Sequence, residues 1–180
     1  MWKMFPVIGC LAVLASTSAA QTIEDSIIPE PEVEVDFSNL KSPSDLNTMM
    51  SDAKNRLATD GCEVSVSLFS AVSVQSNATA NIIRTGLEPY YRSGRDEKEA
   101  FSRKRENLQP LIEMETASND MIRLRNEAWV REGVCLLELG ERDRGISTLS
   151  QALNRISVDP ESRDMWLEAR AAMWALVGLE

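Results

Sequence analysis

The sequence predicts an all-α fold built from antiparallel helical hairpins. Glycine and proline are sparse, with 8 and 7 among 180 residues, which disfavours a turn-rich β-sandwich. From residue 42 onward, apolar side chains recur at the spacing of an amphipathic helix. The C-terminal third holds three such patterns joined by short turns, and these helices must pack antiparallel to bury their apolar faces. We therefore expect one helical domain over residues 42–180.

Composition excludes several classes of function. The formal net charge of −9 argues against a nucleic-acid binder, because that function needs a basic surface. The sequence has no histidine, which removes histidine-based triads and metal sites. Aromatic residues make up 6% of the chain, too few to suggest a platform for stacking sugars or bases.

Residues 1–20 have the three-part plan of a secretory signal peptide. Lys3 precedes an apolar run over residues 5–15, and the small residues Ser18 and Ala20 then precede a cleavage site. The run is too short to cross a bilayer as a helix. We expect cleavage near Ala20 and a periplasmic or secreted protein with no membrane span.

An alternative interpretation of the same segment is a lipidation motif that ends at Cys10, although the main apolar run follows that cysteine. After cleavage near Ala20, the mature chain would begin with an acidic leader over residues 21–41, which Pro29 and Pro31 keep from forming a helix. One-signed charge and low hydrophobicity predict a disordered linker. A second interpretation is a docking peptide, because apolar residues alternate with acids at Val33, Val35 and Phe37.

Two cysteines remain after processing, Cys62 and Cys135. In an oxidising compartment such a pair is commonly a disulfide, which we predict here. The alternative is two buried thiols that never meet.

The first helices are predicted from caps and apolar spacing. Ser42 is placed to cap a helix that Gly61 ends. Residues 63–68 alternate like a strand, but a lone strand would have no partner, so we favour a helix over residues 63–74. Residues 78–92 continue as a helix that Pro89 kinks or ends.

A further helix is predicted over residues 96–115, with a kink at Pro110. The basic run 103–105 is interpreted as a solvated face of that helix. The next apolar stripe ends at Gly140, and two more helices follow, the second opened by Asp159 and Pro160. The three stripes consist of Met121, Leu124, Ala128, Trp129, Leu136 and Leu139; Ile146, Leu149, Ala152, Leu153 and Ile156; and Met165, Trp166, Ala169, Ala172, Met173 and Leu176.

Residues 127–160 resemble a tetratricopeptide repeat (TPR), a hairpin of helices A and B. A large aromatic opens helix A, small residues stand where the two helices approach, and Leu-Gly forms the turn. The matching residues are Trp129, Gly133, Leu136, Leu139, Gly140, Gly145, Leu149 and Ala152. The resemblance implies that such hairpins stack into a short α-solenoid.

The chain departs from the TPR pattern in two places. Glu132 stands where leucine is usual, and Pro160 arrives late, which predicts a longer helix B. Trp166 is placed to open a terminal capping helix. Residues 85–101 echo a second, degenerate repeat upstream.

The resemblance implies a protein-binding scaffold whose inner groove is lined by helix A. The groove residues would be Glu127, Val130, Arg131, Val134 and Leu137. This mostly apolar set suits an apolar helix or strand of a partner. It lacks the basic and amide residues with which chaperone-binding TPR domains hold a carboxylate. The alternative is that Val134 and Leu137 pack against a neighbouring helix.

No catalytic constellation is predicted. The acid pairs at Glu97 and Glu99 and at Glu113 and Glu115 fall on different helix faces, which favours solvated side chains. The sequence contains no motif for a catalytic nucleophile, a phosphate-binding loop or a metal site. We therefore expect that the protein is not an enzyme and binds no metal ion or cofactor.

We therefore expect an adaptor or assembly chaperone that binds another protein in an envelope, secretion or motility complex. The alternatives are a small extracytoplasmic hydrolase that uses carboxylates and a rigid structural subunit. Whether the chain forms a homo-oligomer is left open by the sequence.

Overall fold

The computed structural model describes residues 39–179, which form six α-helices and no strand. A 3₁₀ turn (Tyr90–Arg92) precedes the third helix. The predicted signal peptide and all of the acidic leader up to residue 38 lie outside the described residues. The helices are α1 (Pro43–Asp60), α2 (Cys62–Gly86), α3 (Arg95–Ser102), α4 (Arg105–Glu138), α5 (Arg142–Arg155) and α6 (Arg163–Ala175).

Helices α1 and α2 form a tight hairpin. Ser42 caps α1 as predicted: its hydroxyl accepts a hydrogen bond from the Asp45 amide at 3.2 Å, and the Asp45 carboxylate accepts one from the Ser42 amide. Gly61 lies between the two helices with φ +77°, a conformation that favours glycine. One residue is therefore enough to reverse the chain.

The choice of helix for residues 63–74 is confirmed, because α2 runs unbroken through this segment. Phe69 and Val72 are fully buried against neighbouring helices. The Ser65 hydroxyl donates to the Gly61 carbonyl at 2.7 Å, so this polar side chain is satisfied inside the helix. Burial on a helical face therefore outweighs the local preference of the alternating serine and valine residues.

The predicted helix over residues 78–92 is wrong at its end. Helix α2 stops at Gly86, three residues before Pro89, and the chain continues as turns. The predicted helix over residues 96–115 is also divided, with a break at Arg103 and Lys104. The basic run 103–105 is exposed, as predicted, but Arg103 and Lys104 form the turn between α3 and α4 and Arg105 begins α4, so the run is not a helix face.

Helix α4 continues through Pro110. The N–H group that proline lacks would have bonded the Glu106 carbonyl, which lies in the exposed first turn of the helix. The predicted helix end at residue 115 is wrong, because Ser118 and Met121 are buried against α2 and the helix continues through them. Helix α4 is consequently 34 residues long.

The turn between α4 and α5 follows the prediction at Gly140. This residue has φ +79°, its amide bonds the Leu137 carbonyl, and the Glu141 amide bonds the Leu136 carbonyl. Leu139, assigned to the buried stripe, is instead 40% exposed at the end of the helix.

Helix α5 ends at Arg155 and is not lengthened by the late position of Pro160. Residues 156–158 leave the helix, and Ile156 is buried among α4, α5 and α6. The Asp159 carboxylate accepts a hydrogen bond from the Ser162 amide at 2.8 Å, which organises the turn before α6.

Helix α4 contributes to two hydrophobic clusters. Helix α1 packs on α2, α2 on α4, α4 on α5, and α6 on both α4 and α5; α1 also contacts α4. The first cluster joins α1, α2 and α4 and includes Leu46, Met50, Phe69, Val72 and Met121. The second joins α4, α5 and α6 and includes Val130, Leu149, Ala152 and Ala169.

A disulfide joins Cys62 at the start of α2 to Cys135 near the end of α4, with 5.0 Å between the two Cα atoms. The predicted bond between these cysteines is confirmed. It clamps the most extensive helix interface of the structure and is consistent with an oxidising compartment.

Candidate functional site

Helices α4 and α5 cross so closely that two glycines are required. A Cβ atom at Gly133 would lie 2.6 Å from the Cγ atom of Leu149. A Cβ atom at Gly145 would lie 2.7 Å from a methyl carbon of Leu137. Each leucine therefore fills the space that a glycine leaves on the opposite helix, and the hairpin is held by reciprocal contacts.

The predicted groove residues of α4 divide into two groups. Val130 is 1% exposed, and Val134 and Leu137 pack against the same cluster with α5 and α6. Their packing agrees with the alternative interpretation, in which a neighbouring helix covers these side chains. Glu127 and Arg131 lie on another face of α4 and point into a groove.

This groove, of about 460 Å³, lies between α1, α4 and α6. We call it the α1–α4–α6 groove. Its apolar floor is formed by Leu124 and Met165, and its walls are polar. The walls carry Asn47 from α1, Asp120, Arg123, Glu127 and Arg131 from α4, Glu161 from the turn before α6, and Asp164 from α6.

Ion pairs connect the helices that border the groove. Lys54 on α1 lies 2.5 Å from Glu127 on α4. On the other side, Arg131 lies 2.5 Å from Glu168 on α6, and Arg123 contacts Glu161. These side chains are partly exposed, so the ion pairs add little to the stability of the fold. Their main effect is to hold the charged side chains of the groove walls in place.

The groove has an acidic balance. Four acids face two arginines in its walls. With the ion-pair partners Lys54 and Glu168 included, five acids still stand against three bases. Asp164 is exposed and forms no ion pair with any residue of the range 39–179. An approaching cationic group would therefore be favoured over an anionic one.

A polar network behind the groove joins α2, α4 and α5. The buried guanidinium of Arg125 donates to the side-chain carbonyls of Asn77 at 2.8 Å and Asn126 at 2.9 Å. It also lies over the Trp129 ring, 4.5 Å from the ring centre. Asn126 in turn donates to the Arg155 carbonyl at the end of α5. The network fixes the relative positions of three helices.

Glu132, the departure from the TPR pattern, lies between α2, α4 and α5. Burial raises the pKa of its carboxyl, while the Ser70 hydroxyl and the Arg144 guanidinium offset part of that increase. The carboxyl borders a second groove, which exposes the small residues Ser67 and Ala71 of α2. Its polarity is thus accommodated by partners from two neighbouring helices.

The paired acids considered for catalysis have separate structural contacts. Glu97 accepts a hydrogen bond from the Gly94 amide, and Glu99 pairs with Arg103. Glu113 accepts one from Gln109, and the Tyr91 hydroxyl bonds Glu115. Burial and that contact with Glu115 raise the pKa of Tyr91.

Within residues 39–179, we find no group of three cysteine, histidine or acidic side chains that could hold a metal ion. Over the same range, none of the helices is both long and apolar enough to cross a membrane.

Comparison with known proteins gives no assignment. No protein-family model, curated protein or solved structure matches this chain.

Sequence reasoning missed most of the groove because its walls come from three separate segments. One signal was nevertheless available on α4. Asp120, Arg123, Glu127 and Arg131 recur at three- and four-residue intervals and form a charged stripe along one helix face. Asn47 and Asp164 carry no such signal, since only the packing of α1 and α6 brings them to that stripe.

Proposed function

We propose that this protein is an extracytoplasmic TPR-like adaptor that binds a segment of another protein in the α1–α4–α6 groove. The observation that carries the proposal is the position of this groove, which three non-consecutive helices border. In a solenoid of A and B helices, α1, α4 and α6 would be successive A helices, and α2 and α5 would be B helices.

The helix contacts support this assignment. Helix α2 packs on both α1 and α4, and α5 packs on both α4 and α6, as B helices do between successive A helices. The reciprocal contacts of Gly133 with Leu149 and of Gly145 with Leu137 place small residues at the crossing, as the TPR pattern implies. Residues 85–101, the segment that echoes a second repeat, do not form a hairpin of two helices. They form the end of α2, turns and the short helix α3, so they add no support to the assignment.

The chemistry of the groove modifies the partner expected from sequence. Val130, Val134 and Leu137 pack against α5 and α6, so they do not offer an apolar surface for a partner helix. The acidic walls over a floor of Leu124 and Met165 suit an extended segment with both basic and apolar side chains. Export follows from the predicted signal peptide and fits the disulfide.

The test is affinity capture from the extracytoplasmic fraction of the source cells, using tagged protein that begins at Gln21. The groove variant is Asn47→Lys with Asp164→Lys. Both residues are exposed, Asn47 is uncharged, and Asp164 forms no ion pair with residues 39–179. The control, Ser67→Lys with Ser147→Lys, introduces the same number of lysines at exposed positions on α2 and α5.

The proposal expects one protein to be retained by the wild type and the control but lost from the groove variant, with unchanged circular dichroism in all three. Retention by the groove variant equal to that by the wild type would contradict it. Substitutions of Val130 are unsuitable for this purpose, because a charge there would enter the core.

A further inference from the structure

The only uninterrupted run of three basic residues between residues 39 and 179 lies where α3 is followed by α4, at one end of an exposed helical arm. Helix α3 and the first turns of α4 form this arm, residues 95–116, and most of residues 103–116 are exposed. Arg103, Lys104 and Arg105 lie at its tip. Lys104 and Arg105 form no ion pair within the described part of the chain, and Phe101 beside them is 39% exposed.

The arm tip and the α1–α4–α6 groove are complementary in two respects. The tip carries cations beside an exposed aromatic ring, while the groove has acidic walls over an apolar floor. Both surfaces belong to a chain whose net charge is −9, in which a cationic tip is unusual. Opposite charges on two separate patches of one molecule favour association between copies.

One copy cannot place its tip in its own groove. Arg105 and Asp120 lie on the same helix, and fifteen residues of α-helix span about 22 Å. Because α4 itself holds them apart, only the groove of another molecule can receive the tip.

We propose that the arm tip of one molecule docks in the α1–α4–α6 groove of a second copy, giving head-to-tail self-association. Such a contact uses two different patches, so a docked pair as a whole still presents one free tip and one free groove, to which further copies can add. The contact is small and largely electrostatic, so it is weak and sensitive to salt. This inference uses the groove of the proposed function but requires no foreign partner.

Sedimentation velocity over a hundredfold concentration range, at low and high ionic strength, tests the inference. The arm variant is Lys104→Gln with Arg105→Gln, which leaves a tip without the two unpaired cations, and the groove variant is Asn47→Lys with Asp164→Lys. We expect wild-type protein to form growing oligomers at low salt, and each variant alone to associate at least about tenfold more weakly. A mixture of the two variants restores one intact tip and one intact groove, so it should form a heterodimer and stop there.

A wild-type protein that stays monomeric at all concentrations would overturn the inference. So would a mixture that fails to associate, or a closed dimer that both variants preserve. The control with Ser67→Lys and Ser147→Lys should associate like the wild type. Loss of self-association in the arm variant with full capture of a foreign partner would leave the proposed function standing, so the two proposals fail separately.

Discussion

Gly133 on α4 and Leu149 on α5 meet without room for a methyl group between them. A Cβ atom at Gly133 would lie 2.6 Å from Leu149 Cγ and 3.2 Å from the Leu149 amide nitrogen. The second distance matters because backbone cannot move aside as a side-chain end can. The α4–α5 hairpin therefore depends on glycine at this position.

We predict that Gly133→Ala lowers the free energy of unfolding by about 2 kcal/mol, the usual scale of overpacking in a core. Urea unfolding followed by circular dichroism measures the change. Gly86→Ala is the matched control, because a Cβ atom there meets nothing within 4 Å and the residue ends helix α2. Equal stability of the Gly133→Ala variant and wild type would show that the helices do not cross as described.

Reduction of the Cys62–Cys135 disulfide should destabilise the fold. The two cysteines are 73 residues apart, and the chain-entropy model assigns about 4 kcal/mol to a loop of that length. Urea unfolding with and without reductant measures the difference. The double variant Cys62→Ser with Cys135→Ser should reproduce the reduced state and be insensitive to reductant. Two alkylatable thiols in unreduced mature protein would rule the bond out.

Glu132 should make stability fall as the pH rises. Burial raises its pKa in the folded state, so the folded protein holds this proton more tightly than the unfolded chain does. Its stabilising contribution is complete in acid, below the unfolded carboxyl pKa, and is lost as the pH passes the raised folded pKa. Glu132→Gln should therefore be more stable than wild type at neutral pH, and the difference should vanish in acid.

Urea unfolding across a series of pH values tests the Glu132 prediction. Glu113→Gln is the control, since it removes an exposed carboxyl from the same helix. A Glu132→Gln variant whose stability runs parallel to that of wild type at every pH would contradict the raised pKa.

Arg125→Leu should destabilise the fold by about 2 kcal/mol, because the side-chain carbonyls of Asn77 and Asn126 would lose a buried charged donor. Thermal and urea unfolding measure the loss. Arg105→Leu provides a comparison at an exposed position. A double-mutant cycle with Asn77→Ala should give a coupling energy well above zero, whereas simple additivity would mean that the contact contributes nothing.

Local patterns predicted some elements better than others. The Ser42 cap and the Gly61 and Gly140 turns follow from residue types whose geometry is restricted. The pairing of Cys62 with Cys135 follows from the predicted compartment and from the presence of only two cysteines in the predicted mature chain. The length of α4 could not be predicted from local patterns, because it depends on the burial of Ser118 and Met121 against α2. The groove was partly visible as a charged stripe on α4, but Asn47 and Asp164 reach it only through packing.

The central claim, that the α1–α4–α6 groove binds a partner, is tested most directly by photo-crosslinking in the source cells. A photoreactive phenylalanine analogue replaces Asn47 or Asp164 in the groove, and Ser67 or Ser147 on the exposed surfaces of α2 and α5. We predict that both groove positions yield the same protein adduct and that the two control positions do not. Adducts formed equally at all four positions, or at the control positions alone, would contradict the claim.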